Sequence, residues 1–258
     1  MNNKLSIVIP VFHERESINP LIDHLHALGK GKDYEIIVVD GSPDGNTIKD
    51  VKDKNVIKIV SGQGRARQMN EGAEAAKGEI LLFLHADTKL PENAFRKIIE
   101  IMQDGTYVGG AFDLELETDR KSLRFIAWAA RIRVRYTHIP YGDQAIFIRK
   151  DYFDSIGGYR DLPLMEDVEL MERIKKLGGK IYIMRDPVQS SPRRWLQDGI
   201  FYTTLRNQIP FRLPVYLCSE PLRYHHLLHL TFFPPLIFSV KSLNHKKNRT
   251  AKGLFFGS

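Results

Sequence analysis

Hydrophobic and polar positions alternate between two rhythms over the first hundred residues. "LSIVIPV" (5–11), "YEIIVVD" (34–40), "VIKIV" (56–60) and "EILLFLH" (79–85) are short, nearly continuous apolar runs bounded by turn residues. Such runs read as strands buried on both faces. Between them, Ile18, Leu21, Ile22, Leu25 and Leu28 recur at helical spacing. "GRARQMNEGAEAAKG" (64–78) predicts a helix closed by Gly78, and Phe95, Ile98, Ile99 and Met102 predict another, with Pro91 in its first turn. Strands separated by helices imply an α/β domain with a mostly parallel sheet flanked by helices.

The second half has a different texture. "AFDLELE" (111–117) alternates strictly, with Phe112, Leu114 and Leu116 opposite Asp113, Glu115 and Glu117, which predicts a half-exposed strand. A basic amphipathic helix over residues 120–135, a short strand "QAIFIR" (144–149) and a turn "SIGGYRD" (155–161) follow. "MEDVELMERIKKLGG" (165–179) predicts a further helix: Val168, Met171 and Ile174 share a face, acids come first, lysines last, and two glycines end it. There is no internal repeat or low-complexity linker. The economical division is one α/β domain over residues 1–190 and a helical C-terminal extension over 191–258 that packs on the domain or meets a membrane or partner.

Composition narrows the function classes. Apolar residues make up 43% of the 258 and charged residues 27%, ordinary for a globular protein. Cys218 is the only cysteine, which excludes an internal disulfide and CxxC metal or redox sites and fits a cytoplasmic setting. The apolar run before Pro10 is too short for the core of a signal peptide. No segment reaches the roughly 18 to 20 apolar residues of a membrane span; the nearest, "LLHLTFFPPLIFSV" (227–240), is broken by Pro234-Pro235. The net charge of +7 comes largely from two patches, residues 120–136 and 241–252. Such patches suit acidic lipids, phosphate-bearing substrates or nucleic acid.

In an open parallel sheet, ligands bind outside the carboxyl ends of the strands. Here the first apolar run ends in Pro10, His13 and Glu14, and the second in Asp40, Gly41 and Ser42. The third leads into "SGQGRAR" (61–67), and the fourth into His85 and Asp87. Carboxylate, glycine, arginine and histidine at neighbouring strand ends predict a pocket for a polar, anionic ligand. "SGQGRAR" lacks the GK[ST] ending of a Walker loop and the GxGxxG spacing of a dinucleotide fold. Arg65 and Arg67 remain candidates to clamp a diphosphate or bond a base.

Taken in order, "VIPVFHE", "VVDGSPDGNT", "GRARQMNEGAEAAKGEILLFLHADTKLP" and "YGDQAIFIRKDYFDSIGGYRDLPLMEDVELMERIKKLGG" resemble the family 2 glycosyltransferases of GT-A (Rossmann-like) fold, over residues 4–184. "GRARQMN", "HADT", "GDQ" and "PLMEDVEL" resemble more closely a bacterial subgroup associated with arsenosugar biosynthesis and radical-SAM enzymes.

The resemblance implies a nucleotide-diphosphate-sugar donor, a UDP-sugar above all, with a divalent metal, Mg2+ or Mn2+, and inversion at the anomeric carbon. It puts Pro10, Phe12 and Glu14 where the first loop meets the nucleotide, and Asp40 where an aspartate receives the base's N–H. Asp87 matches the metal-binding second aspartate of the DxD-type motif. His85 and Ala86 stand where the first aspartates of the motif usually are. Ala86 therefore borders the donor, and His85 is either a metal ligand or a group behind one.

The resemblance also makes Asp167 of "MEDVEL" the general base, with Glu166 and Asp143 of "GDQ" as rivals. Asp167 opens a predicted helix, whose dipole favours negative charge there. "SSPRRWLQDG" is similar to the QxxRW element of processive relatives, with Ser191 where Gln belongs; Arg194 and Trp195 are candidates to close over the donor diphosphate.

Other readings compete. A basic nucleic-acid-binding protein would explain the isoelectric point near 9.3, yet no recognised DNA or RNA motif is present and nucleic acid is not the expected partner. A nucleotidyltransferase would share nucleotide and metal, but "PVFHERES" replaces its glycine-rich basic loop. The apolar-basic stretches 123–136 and 227–247 fit packing on the domain, a homodimer seam, or peripheral contact with the inner face of a membrane carrying a lipid-linked acceptor. A small-molecule acceptor fits the sequence equally.

Overall fold

In a computed structural model, residues 4–193 and 196 are described; the extension predicted for 191–258, with Arg194 and Trp195, lies almost wholly outside them. The chain runs β1 (Leu5–Val11), α1 (Arg15–Leu28), β2 (Tyr34–Asp40), β3 (Ile57–Val60), α2 (Arg65–Ala75), β4 (Ile80–Phe83), β5 (Thr88–Lys89) and α3 (Ala94–Gln103). It continues with β6 (Gly109–Leu116), α4 (Lys121–Thr137), β7 (Phe147–Arg149), α5 (Lys150–Ser155), α6 (Glu166–Lys176) and β8 (Ile181–Ser190).

The strands form one sheet in the order β3-β2-β1-β4-β7-β6-β8-β5. β1 pairs in parallel with β2 and β4, and β2 with β3. β7 then runs antiparallel to both β4 and β6, while β6 and β8 are parallel. The sheet is thus parallel where the sequence alternates strand with helix, and mixed beyond β4.

The unbroken apolar runs have a direct cause. In β1, β2 and β4, Ile7, Ile9, Ile36, Val38, Ile80 and Leu82 face one core with α1 and α3, while Val8, Ile37, Val39, Leu81 and Phe83 face a second core with α2 and α6. Both side-chain rows of each strand are buried, so neither can be polar. Each fully buried Leu, Ile or Phe contributes about 1.5–3 kcal/mol, which holds the strand ends in fixed relative positions.

Three local expectations change. Pro91 precedes α3 rather than sitting in its first turn, since Asn93 is the N-cap residue. α2 ends at Ala75, before Gly78. β6 is not half-exposed: Asp113 on its polar row is buried. α4 folds over that row and Arg135 pairs with the Asp113 carboxylate, while β8 covers the strand's other edge. β8 itself was hidden by "RDP", where the pairing slips between Phe112 and Asp113 and Arg185 and Asp186 bulge out ahead of Pro187.

Candidate active site

A cleft of about 350 Å³ lies across the carboxyl ends of β1 and β4 and the start of α2. Pro10, Val11, Phe12, Glu14, Gln63, Gly64, Arg65, Gln68, His85, Ala86 and Asp87 line it. The structure therefore brings together Pro10, Phe12, Glu14, Arg65, His85, Ala86 and Asp87, all singled out from sequence.

Phe12 is 43% exposed, leaving an aromatic face at the cleft. Glu14 caps α1 and is tied down by Ser17 Oγ, which donates to Oε2 at 2.7 Å. Gly64 has φ +136°, a backbone region that favours glycine, and there the chain turns from β3 into α2. That turn aims Arg65 at the cleft, where its guanidinium stands 3.6 Å from Glu166 Oε1. Arg67 does not line the cleft; it is half-exposed and pairs with Asp161 at 3.1 Å.

Asp40, expected from sequence to contact the base, ends β2. It is fully buried and does not line the cleft. Its Oδ1 accepts from the Ser42 amide and hydroxyl, and its Oδ2 from the Thr47 and Ile48 amides at 2.7 and 3.2 Å. Burial alone would raise its pKa, but these donors outweigh burial and hold it below the usual carboxylate range. In this structure Asp40 shapes the loop after β2.

Asp167 sits in the first turn of α6 with Glu166, both almost fully buried. Met165, just before them, has φ +63°, a left-handed conformation costing a non-glycine residue about 1–3 kcal/mol. Asp167 Oδ2 accepts the Gly142 amide, and Oδ1 the Val168 amide at 2.8 Å. A methyl group on Gly142 would lie 3.1 Å from His85 Nε2 and 3.3 Å from Asp167 Oδ2. Gly142 thus lies between His85, which lines the cleft, and Asp167, which with Glu166 and Asp143 stands behind it. Asp143 lies in the same 3-10 turn, Gly142–Gln144, half-buried beside Tyr141.

Two contributors escaped the sequence reading. Gln68 is buried on α2 and donates to the carbonyls of Val11 at 2.8 Å and Val39 at 2.7 Å, clamping the ends of β1 and β2 together. Its signal was its place three residues after Arg65, on the same helix face. Arg193, beyond β8, reaches back to Glu14 at 2.5 Å. That hydrogen bond, reinforced by Asp87 nearby, raises its already high pKa. Nothing local in the sequence marks it.

Among the described residues no group of three or more His, Cys, Asp or Glu could enclose a metal. The cleft offers Asp87 with His85 beside it. That set fits a cation taking most of its coordination from water and substrate oxygens, as Mg2+ does, or one that accepts an imidazole, as Mn2+ does.

A parallel half-sheet joined through an antiparallel strand to a mixed half, with the cleft at the strand ends, is the GT-A arrangement. S. aureus TarS 1-349 in complex with UDP-GlcNAc has the same fold, with a TM-score of 0.57 at 17% identity over 73% of this chain and 58% of that one. So does the mannosyltransferase PcManGT from Pyrobaculum calidifontis in complex with GDP-Man and Mn2+, with a TM-score of 0.55 at 18% identity over 72% and 56% of the two chains.

Residues 6–157 match Glycosyl transferase family 2, and the chain belongs to that family. The match spans every singled-out residue from Pro10 to Asp143 and stops before Glu166 and Asp167. A dolichol-phosphate mannosyltransferase of Pyrococcus furiosus is 29% identical over 109 residues, 40% of this chain and 31% of that protein. An undecaprenyl-phosphate 4-deoxy-4-formamido-L-arabinose transferase of Yersinia pestis is 32% identical over 117 residues, 42% and 36% of the two. The chain spans about a third of the length of the curated relatives it matches.

Proposed function

We propose that the protein is an inverting glycosyltransferase that moves a sugar from a nucleoside diphosphate, a UDP-sugar first among them, to an acceptor oxygen. One observation carries this reading: Phe12, Arg65, His85 and Asp87 line a single cleft, and Asp167 stands across Gly142 from it. The exposed ring of Phe12 suits stacking against a base, and Arg65 suits forked contacts to the diphosphate. Asp87, with His85, would hold the divalent cation, which when bound neutralises the charge that grows on the departing diphosphate.

Inversion is a single displacement. The acceptor oxygen attacks the anomeric carbon as the bond to the diphosphate breaks, and the acceptor's proton passes to a carboxylate on the attacking side. Asp167 is our choice for that base. Its Gly142 and Val168 hydrogen bonds fix the carboxylate's orientation, whereas Glu166 faces the Arg65 guanidinium at 3.6 Å. "GRARQMN", "HADT" and "PLMEDVEL" support a place in the arsenosugar-associated bacterial subgroup.

Nucleotide sugars are cytoplasmic metabolites, and we put the reaction there. Polyprenyl phosphates in the names of two relatives favour a lipid-linked acceptor over a small molecule. The test is calorimetry of nucleotide sugars against the protein with Mg2+ or Mn2+. Metal-dependent binding of at least one is expected; no binding under either metal would overturn the reading.

A further inference from the structure

α4 has two apolar faces. With about 3.6 residues per turn, Leu123, Ala127 and Val134 lie on one side, and all three are buried. Phe125, Trp128, Ile132 and Tyr136 fall on the opposite side, spaced to make a continuous stripe. That stripe is 64%, 51%, 36% and 84% exposed in the same order, and the Phe125 and Trp128 rings meet at 5.4 Å. Isolated exposed apolar residues need no explanation, but four aligned on one helix face do.

The charges around the stripe identify what covers it. The helix carries Lys121, Arg124, Arg131, Arg133 and Arg135 and no acidic residue. Arg135 is committed to Asp113, and Arg133 lies over the Tyr141 ring at 3.3 Å. Lys121 and Arg124 stay at the exposed surface, where the stripe begins. Aromatic residues in a row flanked by cations and free of anions are what an interfacial helix offers to a membrane of negative surface potential. A nucleic acid would use the cations but has no place for Ile132 at the centre of the stripe. Because Leu123, Ala127 and Val134 keep the other face of α4 packed on the domain, a contact of this kind lies in the plane of the surface.

We infer that the outer face of α4 is a docking surface for an anionic lipid bilayer. The helix is coupled to the cleft: Arg133 stacks on Tyr141, whose neighbour Gly142 binds Asp167. Delivery of a lipid-linked acceptor from the docked surface to Asp167 rests on the transfer reading above, whereas the docking itself does not.

The test uses the full chain without nucleotide sugar, floated with phosphatidylcholine vesicles with and without phosphatidylglycerol. Binding is expected only to the anionic vesicles and should weaken as salt rises. Phe125→Ser/Trp128→Ser and, separately, Lys121→Glu/Arg124→Glu should each reduce vesicle partitioning roughly tenfold or more. Their melting temperatures should stay unchanged, because all four side chains are exposed. Unchanged partitioning of either double variant, equal binding to neutral vesicles, or a wild-type dimer that Phe125→Ser/Trp128→Ser splits while no vesicle binds would each overturn the docking. Failed nucleotide-sugar binding alongside intact flotation would overturn only the transfer reading.

Discussion

Asp87 and Asp167 are given different duties, and substitution separates them. Asp87→Ala should abolish metal-dependent nucleotide-sugar binding in calorimetry. Asp167→Asn should leave donor affinity within about twofold while lowering the transfer rate by about 10² to 10⁴. Asp40 makes a third case, because its carboxylate serves the fold. Asp40→Asn leaves amide hydrogens facing the Thr47 and Ile48 donors and should cost about 3 kcal/mol in denaturant unfolding. Its folded-state pKa lies below its unfolded value. The stabilisation is therefore complete above the ordinary carboxylate range near pH 4 and lost as the pH falls through the lower folded value. The stability gap between wild type and Asp40→Asn should accordingly narrow on acidification. Asp87 could be read from sequence because a motif delivers it to a strand end. The engagement of Asp40 was partly legible in the Ser two residues on, a common turn arrangement, but Arg193 was not, since its partner is 179 residues away.

At the scale of elements, the site depends on two points where the backbone comes close or turns sharply. A Cβ at Gly142 would press on both His85 and Asp167. Gly142→Ala should lower turnover at least tenfold, with KM for donor less affected, because small displacements of reacting groups carry large rate penalties. Gly64→Ala meets no such crowding but imposes a strained φ, and should cost about 1–2 kcal/mol, read as a lowered melting temperature. β1, β2 and β4 were legible because burial on both faces leaves a plain signature. β6 was legible as a strand but not in its burial, and β8 was not legible at all, for opposite reasons. In β6 a real alternation pointed to solvent, yet α4 supplied an arginine to bury the acid. In β8 the bulge at "RDP" erased the pattern. Tertiary partners decide such strands, and a local window cannot contain them.

For the whole molecule, the order of motifs carried the fold, since each strand end arrives with its own polar residues. The side of the cleft built from β1, α2 and β4 was accordingly visible. Gly142 and α6, which stand behind the cleft, were visible only as motifs, because their position depends on β7 running antiparallel inside the sheet. The same strand order has a consequence in time. The pairings of β1 with β2 and β4 and of β2 with β3 fall within the first third of the chain. β6 finds β8 only after α4, β7, α5 and α6 have been made. Chains emerge from the ribosome N-terminus first, and pairings between distant segments form slowly. The half carrying Phe12, Arg65 and Asp87 is therefore synthesised before the half carrying Asp167, yet both cores against which its strands pack wait for Phe147, Leu170 and Met184, so the early strands stay half-covered until the chain is nearly through β8.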